Sequence, residues 1–278
     1  MPVAGIVRAL TQSEAFADVR LHARSDTDFS VVAGLDAPLI AALVDARGTG
    51  DSAGSVLVIA PTGRRAESIG DALSCLVPDA LVLQFPAWET LPHERLSPST
   101  ETVGRRLDVL RQVAQWQGER PLVVVASVRS ALQPIAAGLT EAGAVELTAG
   151  GRGYDLDGVA RRLVDLAYHR VDMVSRRGEF AVRGGILDVF PPVADHPVRV
   201  EFFGDEVDQI RAFSVADQRS LPGDVAGVTL TPSRELLLTA AVRARAAALQ
   251  DKFPGLRGML EKMSEGIPVE GMESLLPV

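Results

Sequence analysis

A phosphate-binding loop of the form G-x-x-x-x-G-K-[S/T] needs glycines whose amides cradle the anion and a lysine that reaches its outer phosphates. The turn AGLDAPLIAA, residues 33–42, lies between a strand-like and a helix-like segment, where such a loop would sit. It offers only Gly34, Leu35 and Asp36, so it reads as a degenerate nucleotide site in which the Asp36 carboxylate would repel phosphate. Lysine occurs only at 252 and 262, and Glu261 stands where a loop ending in Lys262 would need glycine. The next turn, APTGRRAES, sets Gly63, Arg64 and Arg65 at a helix start. It could hold an anion on backbone amides and guanidiniums, or be an ordinary helix start.

Other chemistries find no constellation. His22, His93, His169 and His196 are scattered, without the spacing of metal ligands. Cys75, the single cysteine, falls on the apolar face of an expected helix and reads as a buried structural thiol. His93 and Glu94 are adjacent in the proline-flanked LPHERL and read as surface rather than as a catalytic pair. There is no carboxylate pair in a credible cleft. No catalytic residue, metal or cofactor is therefore expected, and the chain reads as a binding module.

The strongest local signal is RRGEFAVRGGILDVF, Arg176–Phe190. Gly184-Gly185 is a two-residue loop of the kind that closes a hairpin. It sets Arg183 against Ile186, Val182 against Leu187, Ala181 against Asp188 and Phe180 against Val189. Side chains alternate between faces. Phe180, Val182, Leu187 and Val189 share a core face; Glu179, Ala181, Arg183, Ile186, Asp188 and Phe190 share the other. There Arg183 reaches Asp188 diagonally, and Ile186 and Phe190 are expected outward. Periodicity alone reads this as a solvated face with an internal ion pair. The competing reading is a docking surface, since arginine and aromatic side chains on a rigid element are the usual composition of an interface hot spot. A second hairpin, RVEFF and EVDQIRAF about Gly204-Asp205, would set Glu201 against Asp208, an unfavourable pair unless bridged or displaced by a bulge.

The elements that must position these residues follow from pattern. FSVVAG, SVLVIA, ALVLQF and PLVVVAS alternate with helical segments over residues 1–130, which predicts an α/β domain whose parallel sheet is covered on both faces. Residues 131–217 turn to short strands and tight turns after one helix, an inserted α+β domain of antiparallel hairpins. Residues 218–278 are expected to be a helical continuation, with SRELLLTAAVRARAAALQDKF as helix. Of 278 residues 47% are hydrophobic and 23% charged, which suits globular domains. The net charge of −8 confines any nucleic-acid grip to a local patch. One cysteine and no signal peptide or apolar span suggest the cytoplasm and no membrane partner. The ending MESLLPV lacks a helix stop or polar tail and reads as a piece of something longer.

YHRVDMVSRRGEFAVRGGILDVFPP and RVEFFGDEVDQIRAFSVADQRS closely resemble the second domain shared by UvrB and the bacterial transcription-repair coupling factors. FPAWETLPHERLSPSTETVGRRLDVL is similar to the coupling factors' first domain, and the degenerate turn at Gly34–Asp36 distinguishes them from UvrB, which keeps its phosphate loop. The resemblance covers about residues 29–220. It implies a RecA-like first domain and a second domain that binds UvrA, with Arg170, Arg177 and Arg183 matching the family's arginines and Ile186, Asp188 and Phe190 on the same face. Ala181 departs from UvrB, which usually has arginine there. It further implies an ATP- and Mg²⁺-dependent double-stranded DNA translocase and an RNA-polymerase-binding domain beyond residue 278, and a C-terminal domain that masks the UvrA surface. A UvrB-like nucleotide- or DNA-binding domain is the alternative.

Overall fold

The computed structural model describes residues 4–22, 26, 28–32, 34–47, 54–91, 94–136, 139 and 143–276, so His93 lies outside the described residues. The chain divides into two units, residues 1–87 with 111–133, and residues 88–110 with 134–278. Among the described residues the fold is mixed α/β, with a parallel three-stranded sheet, an antiparallel two-stranded one and a six-stranded sheet that is antiparallel except for a parallel edge strand.

The first unit is built on a parallel sheet of β1 (Ser55–Ala60), β2 (Leu81–Phe85) and β3 (Leu122–Ser127), in the order β1-β3-β2. FSVVAG supplies no fourth strand: Phe29 to Val32 are not in a strand, and Val31 and Val32 are exposed. Helices Ala4–Thr11, Asp36–Arg47 and Gly63–Leu76 bury Val7, Ala41, Val44, Ile69 and Leu73 with Val123 and Val125 of β3. In β1 only alternate residues join that core. Val56 and Val58 pack inward, whereas Leu57 and Ile59 are 63% and 50% exposed, so this strand is not covered on both faces as expected. Asp36 opens its helix, its Oδ1 accepting the Ala37 amide at 2.9 Å. Thr62 caps the next helix by accepting the Arg65 amide.

Cys75, expected to be buried, is exposed and free. The apolar stripe of its helix runs through Ala66, Ile69, Leu73 and Leu76, and residue 75 turns away from it. Because it is the chain's single cysteine, native protein is expected to take up one equivalent of a thiol reagent without denaturant. Labelling only after unfolding would contradict this placement.

The second unit carries a six-stranded sheet and a two-stranded one. The strands are β4 (Val145–Thr148), β5 (His169–Arg170), β6 (Glu179–Arg183), β7 (Ile186–Val189), β8 (Val198–Phe203), β9 (Glu206–Phe213), β10 (Ser220–Asp224) and β11 (Gly227–Leu230). The larger sheet runs β10-β9-β8-β7-β6-β5, and β4 pairs with β11. The β6–β7 pairing is the one the loop dictates, from Arg183↔Ile186 to Phe180↔Val189. Gly184 takes φ +60°, which a side chain would resist. Gly185 is needed for space, since a Cβ there would lie 2.8 Å from the Phe202 carbonyl oxygen. In the β8–β9 hairpin the register shifts between Glu201 and Phe202, so Glu201 faces Gln209 and the clash with Asp208 never forms.

One face of the larger sheet packs Phe180, Leu187, Val189, Val200 and Ile210 against Leu163 and Leu166 around the helix Leu156–Asp165. That helix is capped by Asp155, whose Oδ1 accepts the Asp157 amide. Within the expected helical continuation 218–278, residues 220–224 and 227–230 are instead strands β10 and β11. Residues 233–239, also expected to be helical, are not; helix begins at Ala240, capped by Thr239, and runs to Leu249, followed by Arg257–Ser264. The reason is burial. Thr231 to Leu237 are buried apart from half-buried Arg234, and Glu235 meets Arg106 of the helix Thr100–Gln115 with both side chains fully enclosed.

Candidate functional site

The face of the six-stranded sheet opposite the main core divides into a covered part and an open part. Phe190, expected outward, is buried. It joins Val174, Ala181 and Phe213, with Val171 and Val215, in a second small core. The chain before β6 and the chain after β9 fold over this part of the sheet, a contact that alternation within one hairpin cannot encode. Its amide still bonds the Glu179 carbonyl at 2.9 Å, as the hairpin register requires. Ala181 is therefore core, and an arginine there would have to be desolvated.

The open part holds the arginines. Arg183 is exposed at the end of β6, its Nη2 donating to Asp188 Oδ2 at 2.8 Å. Asp188 is itself 1% exposed, so it cannot be the contact residue expected of it. Arg199, directly across from it on β8, donates from Nε and Nη2 to the two carboxylate oxygens at 2.7 and 2.9 Å. The Phe213 ring lies 4.9 Å beneath the Arg199 guanidinium. The Asp188 hydrogen bonds hold that guanidinium's pKa above its ordinary value. Arg199 in turn faces Arg211 on β9, and each has its own acid, since Arg211 reaches Asp224 at 3.4 Å. Ile186 is half-buried and faces Glu201.

Arg177 lies lower on the same side, its guanidinium 5.1 Å over the Phe190 ring and its Nη1 3.7 Å from Glu101. Glu179 shapes the approach to it by accepting the Ser175 and Arg176 amides, each at 2.8 Å. Arg170 is exposed on β5, the edge strand, and makes no salt bridge among the described residues. The structure thus puts Arg183, Asp188 and Ile186 in one neighbourhood and Arg177 with Phe190 in another. Sequence reasoning missed Arg199 as the second arm of the Asp188 cluster; its place opposite Asp188 follows from the β7–β8 register.

At the Gly34–Asp36 turn, Gly34 takes φ +92° and Leu35 is exposed. Asp36 is paired through Oδ2 with Arg65 Nη2, so the acid of the first turn occupies an arginine of the second. The described residues contain no group of side chains able to hold a metal ion, and none of their helices is long and apolar enough to cross a membrane.

Residues 145–236 match the UvrB interaction domain. That range opens on the first residue of β4 and closes one residue beyond Glu235. Over the whole chain, the sequence is 47% identical to the transcription-repair-coupling factor of Mycobacterium bovis. The chain belongs to the transcription-repair-coupling factor family. The coupling factor of Bacillus subtilis is 36% identical over 72% of the chain, and that of Escherichia coli 30% over 81%. The chain spans 23%, 16% and 20% of the length of these three coupling factors and aligns with their N-terminal part.

Proposed function

We propose that this chain is a non-catalytic docking module that binds UvrA through the open arginine-bearing face of its six-stranded sheet. The carrying observation is the group formed by Arg183 and Arg199 on one buried carboxylate, in a domain of coupling-factor type. Rigidly held arginines lose little freedom on binding and pair carboxylates in a planar fork. Arg177 and Ile186 extend the surface, Arg170 borders it from the edge strand β5, and Asp188 and Phe190 support it from within. In this reading the module brings nucleotide excision repair to stalled RNA polymerase. The whole protein would be an ATP- and Mg²⁺-dependent translocase on double-stranded DNA in the cytoplasm, its motor and polymerase-binding domain outside these residues and its C-terminal domain able to mask the docking face.

The first unit is read as a RecA-like domain that has lost its nucleotide. Asp36 and the absence of lysine do not suit a phosphate, and the Asp36–Arg65 pair takes up one of the arginines that could have replaced it. No step of nucleotide chemistry is assigned to these residues.

Calorimetric titration of the chain with purified UvrA tests the docking reading. Arg170→Ala and Arg183→Ala are each expected to weaken binding by about tenfold or more, as for arginines within an interface hot spot. Wild-type affinity in both variants would overturn it.

A further inference from the structure

Asp188 is a fully desolvated carboxylate with two guanidiniums on it, and neither main-core packing nor partner contact explains it. Arg183 takes Oδ2, and Arg199 takes both oxygens. Arg199 is fixed from two further directions. Its Nη1 donates to the Gln218 carbonyl at 3.4 Å, and Phe213 lies beneath it. Gln218 holds φ +61°, rare for a residue with a side chain, while its side-chain Nε2 donates to the Val174 and Val215 carbonyls. A strained residue of this kind persists only where its surroundings over-determine it.

We propose that Asp188 is a positioning residue, which from the strand between them fixes Arg183 and Arg199 as a guanidinium pair presented to a carboxylate-bearing protein surface. This rests on the reading of that face as the UvrA-docking surface. The physical case is one of charge and fork geometry. Arg183 on β6 and Arg199 on β8 flank β7, and two such guanidiniums repel unless the acid of the middle strand stands between them. The bonds described use three of the five N–H groups of Arg199 and leave two, and its side chain is 21% exposed. Arg183, 55% exposed, keeps most of its donors free. The pair therefore carries one net positive charge, with donors already oriented before a partner arrives. Glu201, two residues along β8 on the same face, limits where a second acid could approach.

The test is a double-mutant cycle read by calorimetry against purified UvrA, with each variant's fold checked by its melting transition. Asp188→Asn keeps the side-chain volume and removes the charge. It is expected to weaken binding about tenfold, and Asp188→Asn with Arg199→Ala to lose less than the two single losses combined, because coupled residues are not additive. Wild-type affinity for Asp188→Asn, or a loss that adds fully to that of Arg199→Ala, overturns the positioning role while leaving the docking face intact. Absence of binding by the wild-type chain overturns the docking reading itself, and with it this role. Should Asp188→Asn fail to fold, Arg199→Lys keeps the charge but loses the two-pronged bond. It is expected to bind as weakly as Arg199→Ala, and wild-type affinity there overturns the proposal.

Discussion

Glu235→Ala is expected to cost the second unit about 3–5 kcal/mol, the usual penalty for stripping one partner from a buried ion pair. Arg106 and Glu235 are both 0% exposed and meet through Nε and Oε1 at 2.5 Å, with Nη2 to Oε2 at 3.4 Å. The Trp88 indole N–H donates to the same Oε1 at 2.8 Å, and its ring lies 5.4 Å from the Arg106 guanidinium. Removing the carboxylate takes the paired anion from a desolvated cation and one acceptor from the indole, while Arg106 keeps its bond to the Pro134 carbonyl at 3.4 Å. Attraction at this depth barely repays the burial of two charges, so the loss comes from the buried charge left behind more than from the bond. Arg106→Met with Glu235→Leu should therefore cost less than Glu235→Ala alone. Urea unfolding measures both, as a lower midpoint at unchanged slope. A single variant as stable as the wild type would mean that the pair is not sealed from water.

Phe190→Ala is expected to act first on stability, by about 3–5 kcal/mol, as for other buried phenylalanines. Its ring fills the small core with Val174, Ala181 and Phe213 and carries Arg177 on its outer side. Truncation leaves a cavity and removes the platform of Arg177. By contrast, Arg183→Ala should change stability by no more than about 1 kcal/mol, because an exposed ion pair is worth little and Asp188 keeps Arg199. Thermal melts beside UvrA titrations separate the two. Phe190→Ala lowers the melting temperature strongly, and Arg183→Ala weakens binding at nearly unchanged stability. A Phe190→Ala protein that melts like wild type yet fails to bind would restore the ring to the outer surface.

The hairpin was legible because its rules are local. A two-residue loop fixes which residues oppose, and period two fixes which share a face, so the diagonal from Arg183 to Asp188 followed from Gly184-Gly185. The same locality explains the errors. Alternation says which residues share a face but not what lies over it, and the segments that cover Phe190 come from Val171–Val174 and from the chain beyond Phe213. Val-rich β1 was read as doubly buried, yet its Leu57–Ile59 side is open. The bulge that parts Glu201 from Asp208 was foreseeable as a need but not as a position.

The sequence by itself determined the pairing of β6 with β7, the apolar core face and, through its segments, the family. Tertiary structure alone decided that Asp188 and Phe190 lie inside, that Arg199 completes the arginine pair, and that Glu235 meets Arg106 across 129 residues of chain. Short-range periodicity is written in neighbouring residues, whereas burial of a charge or of a second sheet face is settled by segments that become neighbours only on folding.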